Sequence, residues 1–536
     1  MKIKKIIRKY NGSFTLVINI INYCYIKFIF SIFSFCKIRF TFKLKNHKSN
    51  SIVSLVKKEP LKILKLYNER LYDIKNPLFN VDIKNVWEPR RFLKFSSLSL
   101  NNYSADIPNE MPSTSNAMEE SISLINLIVG FQYNNFSNDN RLEIKKLLSF
   151  KSSYIMKNIE VGLKYSTNHY FFNLLGLLWL LDSLDKKPFL IKKFTESQLI
   201  NYFNNSLNSD GSLFEGSTYY HKFVLESLLL YLYEFSFDNS KTPTFKKLST
   251  ISIKMYNFLE NCRSGKRLIN IGDNDSGRIL PIPTLNNYIN SELSLIDELV
   301  KKLDFQITHQ KYKKNDFGLF KLQKSKIEVF YRLHINKTRI KSLVTSHFHN
   351  DQNSIQFYYD SLPIITNLGT YSYVEHGEIR KEMRMTKRNS TISIEPLEQN
   401  TITNDWNDQT INTGNLLDLN TNSIHGEFVY SKNIKHQRNI KISSGIIEIN
   451  DKTKGLKSNL HSRGFLHFHP HINFNEISSK AIEINFDKYY FKISSSSDFE
   501  LIDSIYSRTY GKYEKSKSLA YSFSKHNKIL ITLVHD

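Results

Sequence analysis

Two histidines stand one residue apart in Ser346-His347-Phe348-His349-Asn350-Asp351-Gln352, just ahead of the alternating run Ile355-Gln356-Phe357-Tyr358. On a strand, a period of two turns both imidazoles to one face. Paired imidazoles beside Asp351 offer proton transfer or metal binding. A polar strand end with solvated histidines explains them equally well. Three upstream segments carry chemistry that fits the pair. In Ser166-Thr167-Asn168-His169-Tyr170 a hydroxyl would cap a helix, and Asn168 and His169 would fall in its first turn, where the backbone dipole favours a carboxylate. Taken alone, that segment is an ordinary helix start. From Asp210 to His221 the chain spends two of its 18 glycines within six residues, which marks required backbone shapes. Tyr220 beside His221 supplies a phenol whose pKa basic neighbours would lower; the structural alternative is a helix cap with aromatic packing. In Asn270 to Arg278, Asp273 and Asp275 would hold a cation or orient Arg278. The spacing is not that of an EF-hand, so a structured loop at a cleft rim is expected.

These segments need a scaffold. With 536 residues the chain is too long for one small core, and 40% hydrophobic with 23% charged residues is a globular composition. From about Leu61 to Leu303 the pattern is helical. Ala117–Ile125, Leu174–Leu181 and Phe223–Tyr231 are examples, and the last two are apolar nearly all round, as buried inner helices are. Stacked helical hairpins in a bundle or toroid fit best. Near Lys314-Asn315-Asp316 the texture changes. Strands are expected at 327–331, 354–358, 445–449, 481–486 and 528–533, with turn residues between them, as in a β-sandwich. Glu398 to Asn422 reads as a long loop.

The formal net charge of +24 favours an acidic partner. The charge is spread along the chain and no nucleic-acid motif accompanies it, so no nucleic-acid partner is expected. Cys24, Cys36 and Cys262 make no disulfide framework, and the first two are expected as buried thiols. Basic Met1-Lys2-Ile3-Lys4-Lys5 leads into an apolar run from about Phe14 to Phe35. Asn19, Asn22 and Lys27 interrupt that run, which argues for an amphipathic helix on the protein body or a membrane surface over a true span.

Together the segments resemble the heparinase II/III-like family of polysaccharide lyases and relatives encoded with surface-polysaccharide genes. The matching stretches run in order: Ile83 to Glu88, including Trp87, with Arg91; Asn168-His169; Asp210 to His221; Ile271-Gly272-Asp273; His347 to Gln352; Leu368 to Tyr373; Arg384 to Thr391; and His436-Gln437-Arg438. The resemblance covers about Val81 to the C-terminus. It implies an α+β multidomain fold, with an N-terminal segment at 1–60, an incomplete (α/α) toroid at 61–312 and an antiparallel β-sandwich at 313–536. It implies β-elimination on acidic, uronic-acid-containing glycans in the cell envelope or periplasm. Asn168 and His169 would neutralise the substrate carboxylate. Tyr220 would act as acid, or as both acid and base, with His347 as partner and Tyr373 as the weaker candidate. Glu215, His221, Arg278, Trp87 and Arg91 would contact substrate. Family members often hold a zinc ion, for which His349 matches one ligand. The other two positions are Asn367 and Asn389, poor zinc ligands. Zinc is therefore expected to be weak or absent, with hydrogen bonds among His349, Asn367 and Asn389 in its place. The alternatives are a catalytically weak glycan-binding factor of bacterial surface-polysaccharide biosynthesis, favoured by those two Asn, and a hydrolase using Glu215 and Asp273.

Overall fold

The computed structural model describes residues 14–35, 116–133, 138–163, 165–274, 276–280, 292–307, 315–335, 347–373, 377–402, 412–456 and 460–535. Trp87, Arg91, Asp275 and Cys36 lie outside the described residues.

The chain opens with helices: α1 (Phe14–Phe35), α2 (Ala117–Tyr133), α3 (Asn138–Lys157), α4 (Asn168–Ser183), α5 (Phe189–Ser206), α6 (Thr218–Asn239), α7 (Pro243–Asn261) and α8 (Ser294–Lys302). In α4 every residue from Tyr170 to Ser183 is buried, and in α6 every residue from Thr218 to Phe235. That is the consequence of their all-round apolar sequence: both are inner helices, flanked by α2, α5, α7 and α8. Ser217 caps α6, its hydroxyl accepting from the Tyr220 amide. Thr167 stands at the α4 cap without a side-chain bond, so the expected hydroxyl cap there is not formed.

Antiparallel sheets follow. One has four strands in the order Leu319–Lys324, Ile327–Arg332, Ser354–Tyr359, Leu362–Ile365. Its two central strands are buried on both faces. The period of two divides them: Phe330 and Tyr358 join the helical core, while Val329, Tyr331, Ile355 and Phe357 join the β core. This sheet welds the two halves. Behind it lie an eight-stranded sheet, running from Asn473–Ile477 at one edge to Asn415–Leu419 at the other, and a four-stranded sheet of Phe499–Tyr506, Glu514–Phe523, His461–His467 and Ile392–Glu395. The fold is thus α+β, a helical toroid-type half followed by antiparallel β layers.

Three local expectations need correcting. His347 to Asn353 is turn and loop, and the strand starts only at Ser354. The supposed loop Glu398–Asn422 contains the edge strand Asn415–Leu419. Cys24 is exposed, since it lies off the buried face of α1, whereas Cys262 is buried.

Candidate active site

Three loops meet where the helical half joins the sheet: the turn before α6, the stretch 270–274, and 347–352. Close backbone contact holds them. The Thr218 amide donates to the Ile271 carbonyl at 3.1 Å, the Asp273 amide to the His347 carbonyl at 3.0 Å, and the Ser217 hydroxyl to the Asp273 carbonyl at 2.6 Å. Glycine is required twice. Gly216 has φ +75°, and a Cβ there would lie 2.1 Å from the Phe348 ring. Gly272 has φ +70°, and a Cβ would lie 2.5 Å from the His347 carbonyl oxygen.

Asp273 is the hub. It is fully buried and accepts from His347 Nδ1 at 3.1 Å, His349 Nε2 at 2.9 Å and Arg380 Nη2 at 3.2 Å. Burial alone would push its carboxyl up. The Arg380 charge and the two imidazole hydrogen bonds outweigh that and hold it well below the usual carboxylate range. An ionised carboxylate only accepts, so the hydrogens sit on His347 Nδ1 and His349 Nε2. In neutral rings this leaves lone pairs on His347 Nε2 and His349 Nδ1. Both histidines therefore face one carboxylate, as period-two spacing suggested, although a loop does the placing.

His347 is sandwiched. Its Nε2 lies 3.7 Å from Glu215 Oε2, and its ring stacks on Tyr220 at 3.7 Å between centroids and 23° between planes. The Tyr220 hydroxyl lies 3.1 Å from the Tyr373 hydroxyl. Tyr373 is held by the Tyr510 hydroxyl on its backbone amide, at 2.9 Å, and by Arg380 over its ring. Glu215 accepts from the Asn168 amide at 2.6 Å and from Asn168 Nδ2 at 2.5 Å. The first turn of α4 is thus a carboxylate corner, as its sequence suggested, and the carboxylate it holds is the protein's own Glu215. Asn168 Oδ1 is buried without a hydrogen-bond partner. Asn168, Glu215, Tyr220, Asp273, His347, Tyr373 and Arg380 form one continuous cluster.

Other expected site residues stand elsewhere. His169 Nδ1 is 2.9 Å from Glu160, whose charge and hydrogen bond raise the imidazole pKa against the opposing effect of burial. His221 points to the opposite side of α6. It lies between the Met255 carbonyl, at 3.0 Å, and the Leu213 amide, at 3.3 Å, and burial lowers its pKa to about 4. Successive helix positions are turned by about 100°, so Tyr220 and His221 cannot share a face; His221 is a core residue. Arg278 lines a recess with Tyr219, Lys222, Ser276, Gly277 and Glu292.

The residues do not fit zinc. Asn367 Nδ2 donates to Asn389 Oδ1 at 2.8 Å, Asn367 Oδ1 accepts from the Gly369 amide, and Asn389 Nδ2 donates to the Asn350 and Met385 carbonyls. The two amides are engaged with each other and with backbone. His349 does not join them, contrary to the expected three-residue network, because its Nε2 is on Asp273; its Nδ1 is buried without a partner. Among the described residues no group of three His, Cys, Asp or Glu could hold a metal ion.

Arg380 was missed. It lies on the short helix α9 (Gly377–Arg384), one turn before Arg384, whose Nε donates to the Phe348 carbonyl at 3.0 Å. The i,i+4 spacing puts both guanidiniums on one face of α9, Arg380 reaching Asp273 and Arg384 the histidine loop. In a chain with 74 Lys and Arg nothing singles out Arg380, although Arg384 opens one of the matching stretches. His436 and Arg438 are buried supports: both bind Asp451, and Arg438 also donates to the Asn353 and Ser390 carbonyls.

Comparison with known proteins agrees with this architecture. Residues 315–532 match the family model "Heparinase II/III-like, C-terminal". No curated protein matches the chain by sequence. Among solved structures, a heparinase III superposes with TM-score 0.59 at 12% identity, covering 80% of this chain and 72% of its own. A second heparinase III gene product gives 0.59 at 17%, covering 88% and 74%. Heparan sulfate lyase HepC from Pedobacter heparinus gives 0.53 at 13%, covering 78% and 68%. At these identities the likeness is one of fold.

Proposed function

We propose, from the match of residues 315–532 to the heparinase II/III-like C-terminal family model, that the protein is a polysaccharide lyase that cleaves acidic, uronic-acid-containing glycans by β-elimination. The observation that carries this reading is the Tyr220 phenol, stacked on His347 and bonded to Tyr373 beside the Asn168–Glu215 corner.

In β-elimination the C5 proton of the uronate leaves, a C4–C5 double bond forms, and the O4 bond breaks as O4 takes up a proton. Tyr220 is the proposed acid that protonates O4. His347 Nε2, the ring nitrogen turned away from Asp273, is the proposed base; in the alternative form Tyr220 serves both steps, with the Tyr373 hydroxyl beside it. Asn168 Nδ2 gives one hydrogen to Glu215 and has a second for the uronate carboxylate. His169, Arg278, Trp87 and Arg91 are proposed as outer contacts along the glycan. The +24 charge draws an acidic chain toward the cleft. A surface-glycan substrate would put the reaction in the cell envelope or periplasm.

The glycan-binding alternative rests on the Asn367–Asn389 pair, which stands where the resemblance implies metal ligands. The hydrolase reading is disfavoured, since Asp273 is fully buried with both carboxylate oxygens engaged by Arg380 and the two imidazoles. A panel of uronate polysaccharides separates the three. Ultraviolet absorbance from unsaturated ends supports the lyase, chain shortening without it supports hydrolysis, and binding without cleavage supports the glycan-binding factor.

A further inference from the structure

Helix α1 is divided lengthwise. Ile26 and Phe30 are buried against the body, and Phe194 of α5 packs on Phe30 at 5.2 Å, on Phe33 at 6.1 Å and on Tyr25 at 6.2 Å between centroids. The other face is also apolar and stands in solvent. Ile18, Ile21, Tyr25, Phe28 and Ile32 form a stripe at alternating spacings of three and four, with Tyr25 half-exposed at its border with the body and Ile21 and Phe28 each 62% exposed. Helical geometry puts residues so spaced on one line along the helix.

The stripe does not stand alone. On α5, one turn before Phe194, Phe189 and Leu190 are 68% and 73% exposed, and on α3, which packs against α1, Leu142 and Phe150 are exposed. Large apolar side chains are thus exposed also on α3, which packs against α1, and on α5, which meets α1 through Phe194. The sequence flanking α1 carries charge of one sign. Residues 1–58 contain 13 Lys or Arg and no Asp or Glu; Arg8 and Lys9 precede α1 in sequence and Lys37 and Arg39 follow it. Lys193 lies over the Phe189 ring.

We propose that α1 is a docking surface for an anionic lipid bilayer, lying in the plane of the interface with this stripe in the acyl boundary. An apolar stripe on a helix whose flanking sequence is basic is the combination that such an interface binds. The helix does not cross, because Ile26 and Phe30 are committed to the protein core. Among the described residues no helix is long and apolar enough to cross a membrane. A second copy of this chain is a poorer occupant, since two such basic segments would repel one another.

The test uses the full chain. Cys24 lies on α1 and is exposed, while Cys262 is buried, so a Cys36→Ser protein takes an environment-sensitive fluorophore at Cys24. Vesicles of phosphatidylcholine with phosphatidylglycerol are expected to sediment the protein and shift the probe to the blue. Phosphatidylcholine alone should do neither, and added salt should weaken binding. Ile21→Glu with Phe28→Glu, both on the exposed side, should cut the bound fraction by at least about tenfold with an unchanged melting temperature. Three results overturn the proposal: equal binding by the double variant or none by the parent; a probe already shifted without vesicles, meaning the chain covers its own stripe; or a concentration-dependent dimer abolished by the two substitutions.

Discussion

Tyr220, His347 and Asp273 divide the work at the centre of this site. Asp273 fixes the hydrogen of His347 and balances Arg380, and in the proposed reaction Tyr220 moves the proton. The two kinds of role predict different damage. Asp273→Asn removes the charge that Arg380, His347 and His349 share and takes the countercharge from the buried Arg380 guanidinium. It should cost about 3 kcal/mol or more of stability along with turnover, and urea unfolding beside the lyase assay measures both. Unchanged stability would mean that the Asp273–Arg380 pair contributes little. At this scale the sequence was only partly legible. Tyr220 and His347 stood out by type and setting. His221 misled because it adjoins Tyr220 in sequence while facing the other way on α6. Arg380 was hidden by the abundance of basic residues.

The elements do the positioning. The inner helices α4 and α6 read clearly as uninterrupted apolar runs, and the central strands at 327–332 and 354–359 as alternating ones. The loop at 347–353 did not, because its two histidines mimic the period of a strand while the backbone is held by partners far away in sequence: the Asp273 amide, Arg384 and Asn389. The glycines of these loops were the best clue to that arrangement. Gly216→Ala would force a residue with a side chain to φ +75° and drive a Cβ into Phe348, the neighbour of His347. A loss of about 1–3 kcal/mol is expected, with turnover falling further than stability because His347 moves off Tyr220. Thermal melting and initial rates on the same preparation check this; a variant with parental rate would show that the loop tolerates a shift.

At the scale of the whole molecule, buried neutral histidines tie stability to pH. Burial lowers His221 to about 4 and His467 to about 3. Their unfolded values lie near 6.5, so below that pH the unfolded chain binds more protons and stability falls as pH falls. His221 alone accounts for about 3 kcal/mol between pH 6.5 and 4. His169, raised by Glu160, acts in the opposite sense, with stability present at low pH and lost as pH rises through its folded value. It is partly exposed and acts on a single group, so the net trend is a decline below about pH 6.5. Urea midpoints from pH 8 to pH 5 should show a plateau followed by that decline, and a flat profile would contradict the neutral-core assignment. Basic composition, the helical half and the β half were visible at this scale in the sequence. How the two halves meet through the sheet at 319–365 was not, since that contact depends on which strand face each side chain takes.

The central claim is that Tyr220 transfers the proton in a β-elimination. It is tested by following ultraviolet absorbance from C4–C5 unsaturated ends with the parent protein and with Tyr220→Phe on the same uronate glycan. The account predicts product from the parent and a loss of at least about a hundredfold in the variant, at a melting temperature within a few degrees, because ring stacking on His347 survives without the hydroxyl. A variant that keeps its rate, or a parent that binds the glycan and never forms an unsaturated end, would contradict it.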